Sequence, residues 1–207
     1  MSNIQPKSVL TDSRKQALTK RSWFQLIDDV YPISKEQYKQ LWILHPQQRD
    51  EIMMFGRLVT IPRYQKLYGN KVEYRYSGKN MISENINNEV MATSLNWANE
   101  IDDQIYNGML VNWYQDGTHY MGAHSDDERD LSPQAAIYSF SFGATRTFRI
   151  INKATSEKTD LLLKHGSLLV MGGAMQQEFK HALPATKKCK ASRVNFTIRS
   201  FLTQTVV

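Results

Sequence analysis

The sequence contains a single cysteine, Cys189, and no long run of apolar residues. One cysteine excludes an intrachain disulfide and a zinc site built on several thiolates, and it favours a reducing compartment. No stretch approaches the roughly 18 apolar residues that a membrane span needs. We therefore expect a soluble, intracellular protein with no membrane partner.

The first 21 residues have a different character from the rest of the chain. They contain no apolar segment of the kind found in secretory signal peptides, and five basic residues stand against one acidic residue. We interpret residues 1–21 as a flexible basic arm. Residues 22–207 are enough for one domain with a substantial core, and the charged fraction of 22% is that of an ordinary globular chain.

The formal net charge of the chain is +6 at pH 7. A basic surplus of this size is compatible with an anionic partner such as nucleic acid, and it is also common in proteins that bind nothing acidic. The charge by itself does not decide between the two.

The pattern of apolar residues predicts two helices in the first half of the chain. Ser34 and Gln37 form a capping box before a helix that we expect to end at Pro46. A second helix is expected over residues 89–107, with Ile105 on its apolar face. Short β-rich runs follow, in the segments MLVNWY, AIYSFSFG, RTFRIIN, DLLLKHGSLLVMG and RVNFTIRSFL. Helices followed by many short strands predict an α+β domain whose strands form a sandwich or barrel.

The last strand, residues 193–199, alternates polar and apolar residues over its whole length. Because successive side chains of a strand point to opposite faces, its polar residues share one face, namely Arg193, Asn195, Thr197 and Arg199. That face either meets solvent or lines a cavity where guanidinium groups bind a carboxylate, which Arg recognises with two parallel hydrogen bonds. Asn112 and Tyr114 share a face in the same way.

A candidate metal site begins at His124 and Asp126. In an extended segment these two side chains point the same way, but such a pair is a weak signal that needs a third ligand. Among the remaining histidines we favour His181, which we expect to follow a strand, and we expect a loop position for His119 and a structural role for His165. Two imidazoles and one carboxylate on one face of an octahedron are typical of non-haem Fe(II) oxygenases.

The order of these motifs along the chain resembles the AlkB family of iron- and 2-oxoglutarate-dependent nucleic-acid dealkylases. The resemblance covers most of residues 53–202 and is closest to the animal members that act on duplex DNA. The motifs that carry it are NWYQDG (112–117), HSDDERDL (124–131), SFSFGATRTF (139–148), HGSLLVM (165–171), HALP (181–184) and RVNFTIR (193–199).

The resemblance implies a fold, three cofactors and roles for the motif residues. It implies a double-stranded β-helix, or jelly-roll, core over about residues 109–202, flanked by N-terminal helices and by a nucleotide-recognition lid over about residues 53–80. Fe(II) is implied to be held by His124, Asp126 and His181, with dioxygen as the oxidant. The cosubstrate 2-oxoglutarate is implied to be gripped by Asn112, Tyr114, Arg193 and Arg199 in a cavity also lined by Asn195 and Thr197, with Arg199 on its far carboxylate.

The resemblance further implies which residues meet the nucleic acid. An extruded base is expected to contact Tyr74, Tyr76, Ser77, Asp127 and Glu128, although the two tyrosines also fit an ordinary sheet. Contacts with the DNA itself are expected from Phe55, Gly56, Arg63, Lys187 and Lys188, the first two as a finger inserted into the base stack. The connection INKATSEK is shorter than the basic hairpin of the duplex-acting relatives. The resemblance therefore does not predict how firmly this protein binds the opposite DNA strand.

The implied reaction is oxidative demethylation of N-alkylated bases in DNA, of the 1-methyladenine or 3-methylcytosine type, with release of formaldehyde and succinate. We expect a monomer, located in the nucleus if the cell is eukaryotic and otherwise in the cytoplasm. Two alternatives are an oxygenase acting on RNA or on a protein side chain, and a nucleic-acid-binding module without a metal.

Overall fold

Two antiparallel β-sheets form the centre of the structure, a computed structural model that describes residues 14–54, 56–70, 72–76, 79–101, 103–133 and 135–202. The strands are β1 (Gln16–Ala17), β2 (Ser22–Ile27), β3 (Glu51–Met54), β4 (Arg57–Thr60), β5 (Tyr64–Gly69), β6 (Glu73–Tyr76), β7 (Lys79–Ile82), β8 (Gly108–Tyr114), β9 (Met121–His124), β10 (Ile137–Gly143), β11 (Arg146–Asn152), β12 (Lys158–Leu163), β13 (Ser167–Gly173), β14 (Phe179–Leu183) and β15 (Arg193–Arg199). The helices are α1 (Lys35–Trp42), α2 (Glu89–Ile101) and the single turn α3 (Met175–Glu178).

The larger sheet has the strand order β1-β2-β13-β10-β15-β8-β5, and the smaller sheet has the order β12-β11-β14-β9. Consecutive strands along the chain often lie in different sheets, so the chain crosses repeatedly between the two layers. This is the jelly-roll core that the sequence motifs imply.

Strand β13 shows why the larger sheet lies in the middle of the molecule. Leu168 and Val170 belong to the core that packs under the helices, whereas Leu169 and Met171 belong to a second core that also includes residues of the smaller sheet, such as Phe148. Alternate side chains therefore enter different cores, and a strand buried on both faces reads as a continuous apolar run.

The two long helices pack on the outer face of the larger sheet. Ser34 caps α1 with the predicted capping box to Gln37, and the indole Nε1 of Trp113 in β8 donates to the carbonyl of Leu41 at 2.8 Å. Both helices end earlier than expected, at Trp42 and at Ile101. No helix in the described part of the chain is both long enough and apolar enough to cross a bilayer.

The early end of α2 has a local cause. The side-chain amide of Asn99 both donates to the carbonyl of Tyr106 and accepts from its N–H, at 2.9 Å each, and so closes the segment after the helix into a loop. Ile105, expected on the buried face of this helix, is instead 76% exposed.

Two further boundaries differ from the expected ones. Strand β5 lies within the expected lid but pairs with β8 over six residues as part of the larger sheet, so the lid consists of two separate hairpins, β3–β4 and β6–β7. Residues 16–17, expected in the flexible arm, form β1 against β2. The rest of the arm up to residue 13 lies outside the described residues.

Candidate metal centre and cosubstrate pocket

Three side chains converge at the edge of the smaller sheet. His124 ends β9, and His181 lies directly opposite it in β14 rather than after a strand as expected. Asp126 follows β9 by two residues. The Nε2 atom of His124 is 3.6 Å from Oδ1 of Asp126, and that of His181 is 3.7 Å from Oδ2. One ligand atom of each residue lies within 4.8 Å of the others, which confirms the predicted triad.

Both imidazoles present Nε2 toward the carboxylate. Nδ1 of His124 lies 3.0 Å from the carbonyl oxygen of Gly122, and an N–H donated there leaves the lone pair on Nε2 free for a metal. Burial, and next the proximity of His124, lowers the pKa of His181 to about 3. His181 is therefore neutral at pH 7, the form that coordinates a cation.

Asp126 carries the negative charge of the triad and has a side chain only 1% exposed. Burial acts to raise the pKa of this carboxyl, but the guanidinium of Arg199 and the side chain of His124 outweigh it, so the pKa lies below its ordinary value. Oδ1 accepts a hydrogen bond from Arg199 at 2.7 Å. Oδ2 is buried and finds no hydrogen-bond partner among the described residues, and a cation between it and the imidazoles would satisfy it. The donor set fits Fe(II) with three coordination positions left open.

The backbone at Asp126 is held by side chains that sequence reasoning missed. The Oε1 atom of Gln176, in α3, accepts from the N–H of Asp126 at 2.9 Å, and Ser125 donates to the carbonyl of Phe179 at 2.9 Å. Nothing in the spacing of the chain signals a glutamine that accepts a backbone N–H from a segment so far away in sequence. These two bonds hold the ligand loop against α3 and the start of β14.

A narrow cavity runs from the triad along the inner face of β15. Besides the triad it is lined by Tyr114, Met121, Ser139, Phe148, Met171, Ala182, Leu183, Arg193, Asn195, Thr197 and Arg199. All four polar residues of β15 therefore face this cavity, and the alternative of a solvent-facing strand is wrong.

Arg193 marks the end of the cavity away from the metal site. It donates to the hydroxyl of Ser141 at 2.9 Å, and its guanidinium carbon is 5.3 Å from the ring centre of Tyr114. Burial lowers the pKa of Arg193 to about 10, which still leaves the side chain cationic at pH 7. A buried cation at this end of a cavity is suited to a carboxylate.

Arg199 lies at the opposite end of the cavity, because six positions along a strand span about 20 Å. Its hydrogen bond goes to the metal ligand Asp126. This contradicts the expectation that Arg199 meets the far carboxylate of the cosubstrate. Along the strand, Arg193 is the cavity arginine that lies farther from the metal site.

Arg63 also departs from its expected role. It was expected to contact DNA, but it is only 4% exposed. Its Nε donates to Oδ1 of Asn112 at 2.9 Å, and its Nη2 donates to Oε1 of Gln65 at 3.0 Å. Buried amide oxygens need donors, and Arg63 supplies them. Asn112 does not itself line the cavity but lies opposite Asn195, which does.

The other residues expected to meet nucleic acid lie in exposed segments or outside the description. Gly56 is exposed in the turn of the β3–β4 hairpin with a φ of 73°. Lys187 and Lys188 are exposed between β14 and β15. Asp127 is exposed, with its carboxylate 3.7 Å from the ammonium of Lys153, and Glu128 is partly buried. Phe55, Ser77 and the side chains of Tyr74 and Tyr76 lie outside the described residues.

Two histidines have the roles expected outside the metal site. His165 accepts from the N–H of Gly143 at 3.0 Å and approaches the carbonyl of Ile33 at 3.1 Å, which confirms its structural role. His119 lies between β8 and β9 and accepts from the N–H of Gln115 at 3.2 Å. Burial lowers the pKa of His119.

Arg146 is a second residue that sequence reasoning missed. It is buried and donates to the backbone carbonyls of Asp116, Gly117, His119 and Pro184. Its guanidinium carbon is also 5.9 Å from the ring centre of Tyr114. One side chain thus holds two loops around the far end of the cavity.

The jelly roll and its triad define a mononuclear non-haem iron oxygenase. The sequence profile of the 2OG-Fe(II) oxygenase superfamily matches residues 9–199. Over 168 residues the chain is 35% identical to the DNA oxidative demethylase ALKBH2 of Mus musculus, a match that covers 73% of this chain and 67% of the relative. It is 34% identical over 148 residues to the alpha-ketoglutarate-dependent dioxygenase alkB homolog 3 of Mus musculus, covering 67% and 51%.

These matches identify the chain as a member of the AlkB family within the 2OG-Fe(II) oxygenase superfamily. Fe(II), 2-oxoglutarate and dioxygen are accordingly its cofactors and cosubstrates. The chain spans about half to two thirds of the length of the curated relatives it matches.

A solved structure, "The structure of OsALKBH1", has the same fold. Its likeness covers 90% of this chain and 99% of that one with a TM-score of 0.59, at 16% sequence identity.

Proposed function

We propose that this protein removes methyl groups from N-alkylated bases in DNA, of the 1-methyladenine or 3-methylcytosine type, by 2-oxoglutarate-dependent oxidation. The observation that carries the proposal is the triad of His124, Asp126 and His181 at one end of a cavity with Arg193 at the other. The similarity to proteins named DNA oxidative demethylase supports the choice of substrate.

In the proposed reaction one oxygen atom of dioxygen enters succinate as 2-oxoglutarate loses carbon dioxide, and the other enters the N-methyl carbon. Iron, when bound to the triad, supplies the oxidising centre. The hydroxymethyl group then leaves as formaldehyde and restores the N–H or ring nitrogen of the base. A methylated base that cannot pair costs less to flip out of a duplex than an intact base does.

The residues around the cavity have separable tasks in this scheme. Arg193 binds the far carboxylate of 2-oxoglutarate, since it is the buried cation that lines the cavity at that end. Arg199 holds Asp126 in its ionised form at the metal end. The carboxylates of Asp127 and Glu128 follow Asp126 directly and are suited to the positive charge of a methylated adenine or cytosine.

The β3–β4 hairpin is the proposed contact with the base stack. Met53, Leu58 and Val59 on it are 60%, 62% and 40% exposed. Apolar side chains inserted between base steps are a known means of opening a duplex. Phe55, which lies outside the described residues, stays a prediction as the finger that fills the gap.

The metal triad and the cavity are complete within one chain, which supports a monomer as the acting unit. Nuclear location in a eukaryotic cell follows from DNA as the substrate.

The test is succinate and formaldehyde formation with a methylated duplex oligonucleotide, the same methylated strand alone, a methylated RNA and the unmethylated duplex. We expect product formation from methylated DNA that exceeds the unmethylated background, and none with His181→Ala. Turnover stimulated by methylated RNA and not by DNA would contradict the proposal and support an RNA oxygenase. An absence of stimulation by any nucleic acid would point to a protein substrate.

A further inference from the structure

A series of four hydrogen-bonded polar side chains runs from the start of the first lid hairpin to Asn112, which lies opposite the cavity residue Asn195. Asp50, directly before β3, accepts from Nε2 of Gln65 at 3.2 Å. Oε1 of Gln65 accepts from Arg63, which donates through its other nitrogen to Asn112 in β8. Nε2 of Gln65 also lies 3.9 Å from the sulfur of Met81 in β7, so the series reaches both hairpins.

Each hydrogen bond among these four side chains has only one possible direction. A guanidinium only donates, so Arg63 requires the oxygen of both neighbouring amides. The oxygen of Asn112 must therefore face Arg63, and its two N–H groups are what it offers elsewhere. In the same way Gln65 must turn its nitrogen toward Asp50, whose carboxylate only accepts.

Three of these four side chains are buried and Asp50 is partly buried, so reversing the direction of their hydrogen bonds would be costly. Arg63 and Gln65 are each 4% exposed and Asn112 is 1% exposed. A buried donor or acceptor left without a partner is destabilising. Gln65 pairs with Asn112 across β5 and β8, and Asn112 pairs with Asn195, which lines the cosubstrate cavity. A polar row thus leads from Asp50 across the sheet to the cavity.

We propose that Arg63 and Gln65 are positioning residues that set the amide of Asn112 for a carboxylate of 2-oxoglutarate and hold both lid hairpins to the same strand pair. The first part concerns the cosubstrate alone. The second part, the role of the hairpins in binding the substrate, rests on the proposed function.

Substitutions of Gln65 test its hydrogen bond with Arg63 separately from its hydrogen bond with Asp50. Gln65→Leu removes the acceptor for Arg63 and the donor to Asp50. Gln65→Glu keeps the acceptor, but it loses the donor and places a second carboxylate beside Asp50. Lys66→Met is the matched control, because Lys66 is adjacent on β5 but faces the other side, where it pairs with Glu84 at 2.9 Å.

The first measurement is calorimetric titration of the Mn(II)-loaded protein with 2-oxoglutarate, without nucleic acid. We expect Gln65→Leu to weaken binding about tenfold, a loss of about 1.4 kcal/mol. Gln65→Glu, which keeps the acceptor for Arg63, should weaken binding less than Gln65→Leu does, and Lys66→Met should bind within about twofold of wild type. Arg63→Lys, which cannot reach both amides in the geometry of a guanidinium, should weaken binding as Gln65→Leu does. Wild-type affinity in both Gln65→Leu and Arg63→Lys would overturn the role in positioning Asn112.

The second measurement is hydrogen exchange of the backbone amides in β3 and β4. We expect faster exchange in Gln65→Glu than in wild type, with β10 unchanged, because two adjacent carboxylates repel each other at the base of the hairpin. Unchanged exchange in β3 and β4 would overturn the link to the hairpins. Melting temperature is followed throughout, and if Gln65→Leu does not fold, Arg63→Lys and Gln65→Glu decide.

Turnover distinguishes this proposal from the proposed function. If the hairpins present the nucleic acid, Gln65→Glu raises KM for a methylated oligonucleotide by a larger factor than it weakens the binding of 2-oxoglutarate. Failure of the proposed function would appear in the wild-type protein, as no turnover of methylated DNA, whereas the binding and exchange results judge the positioning role by themselves.

Discussion

Arg199 donates to Oδ1 of Asp126 across 2.7 Å, and the two side chains are 3% and 1% exposed. Removing one partner of a buried ion pair leaves the other charge uncompensated, at a cost of about 3–5 kcal/mol. We expect Arg199→Met to lower the free energy of unfolding strongly in the metal-free protein and much less in the Mn(II)-loaded protein, because the metal also compensates Asp126.

Denaturant unfolding with chelator and with excess Mn(II) measures this difference. Arg149→Met is the control, since Arg149 pairs with Asp160 on the surface and such pairs contribute little. Equal losses for Arg199→Met with and without metal would show that Arg199 does not act through the charge of Asp126.

Two histidines, His181 in the metal site and His165 outside it, provide a second test. His181→Ala removes a metal ligand, so we expect Mn(II) affinity and turnover to be lost, with rather little effect on the metal-free fold. His165→Ala should lower the melting temperature, since it removes the acceptor for Gly143, and retain metal binding. Metal affinity near that of wild type in His181→Ala would remove this residue from the triad.

Arg193 is predicted to carry the affinity for 2-oxoglutarate. Arg193→Met should weaken cosubstrate binding by more than about 100-fold, because losing one side of a buried charge pair costs about 3–5 kcal/mol. Calorimetry on the Mn(II)-loaded protein measures the dissociation constant, and metal binding serves as the internal control. If the affinity is unchanged, the carboxylate lies elsewhere in the cavity.

The exposed hairpin is predicted to matter only for duplex substrates. Leu58→Gln should slow demethylation of a methylated duplex by about tenfold, the effect of about 1.4 kcal/mol, and spare the same lesion in a single strand. Leu162→Gln on β12 is the control, since Leu162 is 56% exposed and lies on a different sheet. Equal ratios of duplex to single-strand rates in the two variants would contradict insertion of this hairpin.

The metal triad was predictable because the motifs that contain its three residues follow one another along the sequence in a specific order. That the polar residues of β15 share one face followed from alternation alone, and that this face lines a cavity followed from the family resemblance. Which arginine lies at which end did not, because alternation specifies the face of a strand and not the position of the metal along it. The structure settles that point through the contact of Arg199 with Asp126.

Other elements escaped prediction for physical reasons. Strand β2 buries the polar side chains of Ser22 and Gln25, so its apolar pattern does not alternate. Helix α2 was expected to be longer, since no sequence rule shows that Asn99 will hydrogen-bond to the backbone of Tyr106. Arg63 looked like a surface cation, and its burial depends on two amide oxygens that only the folded sheet brings to it.

Because β9 and β14 pair at the metal site, a bound metal would also stabilise the smaller sheet. β9 is a four-residue strand at the edge of the smaller sheet, and it is held in register at only two positions, His124 with His181 and Met121 with Leu183. A cation bound by both histidines cross-links these two strands at the outermost position of the sheet. The unpaired backbone groups at a sheet edge can pair with other chains. Loss of iron would therefore remove a cross-link between β9 and β14 together with the oxidising centre, and separation of β9 would leave the edge of β14 unpaired.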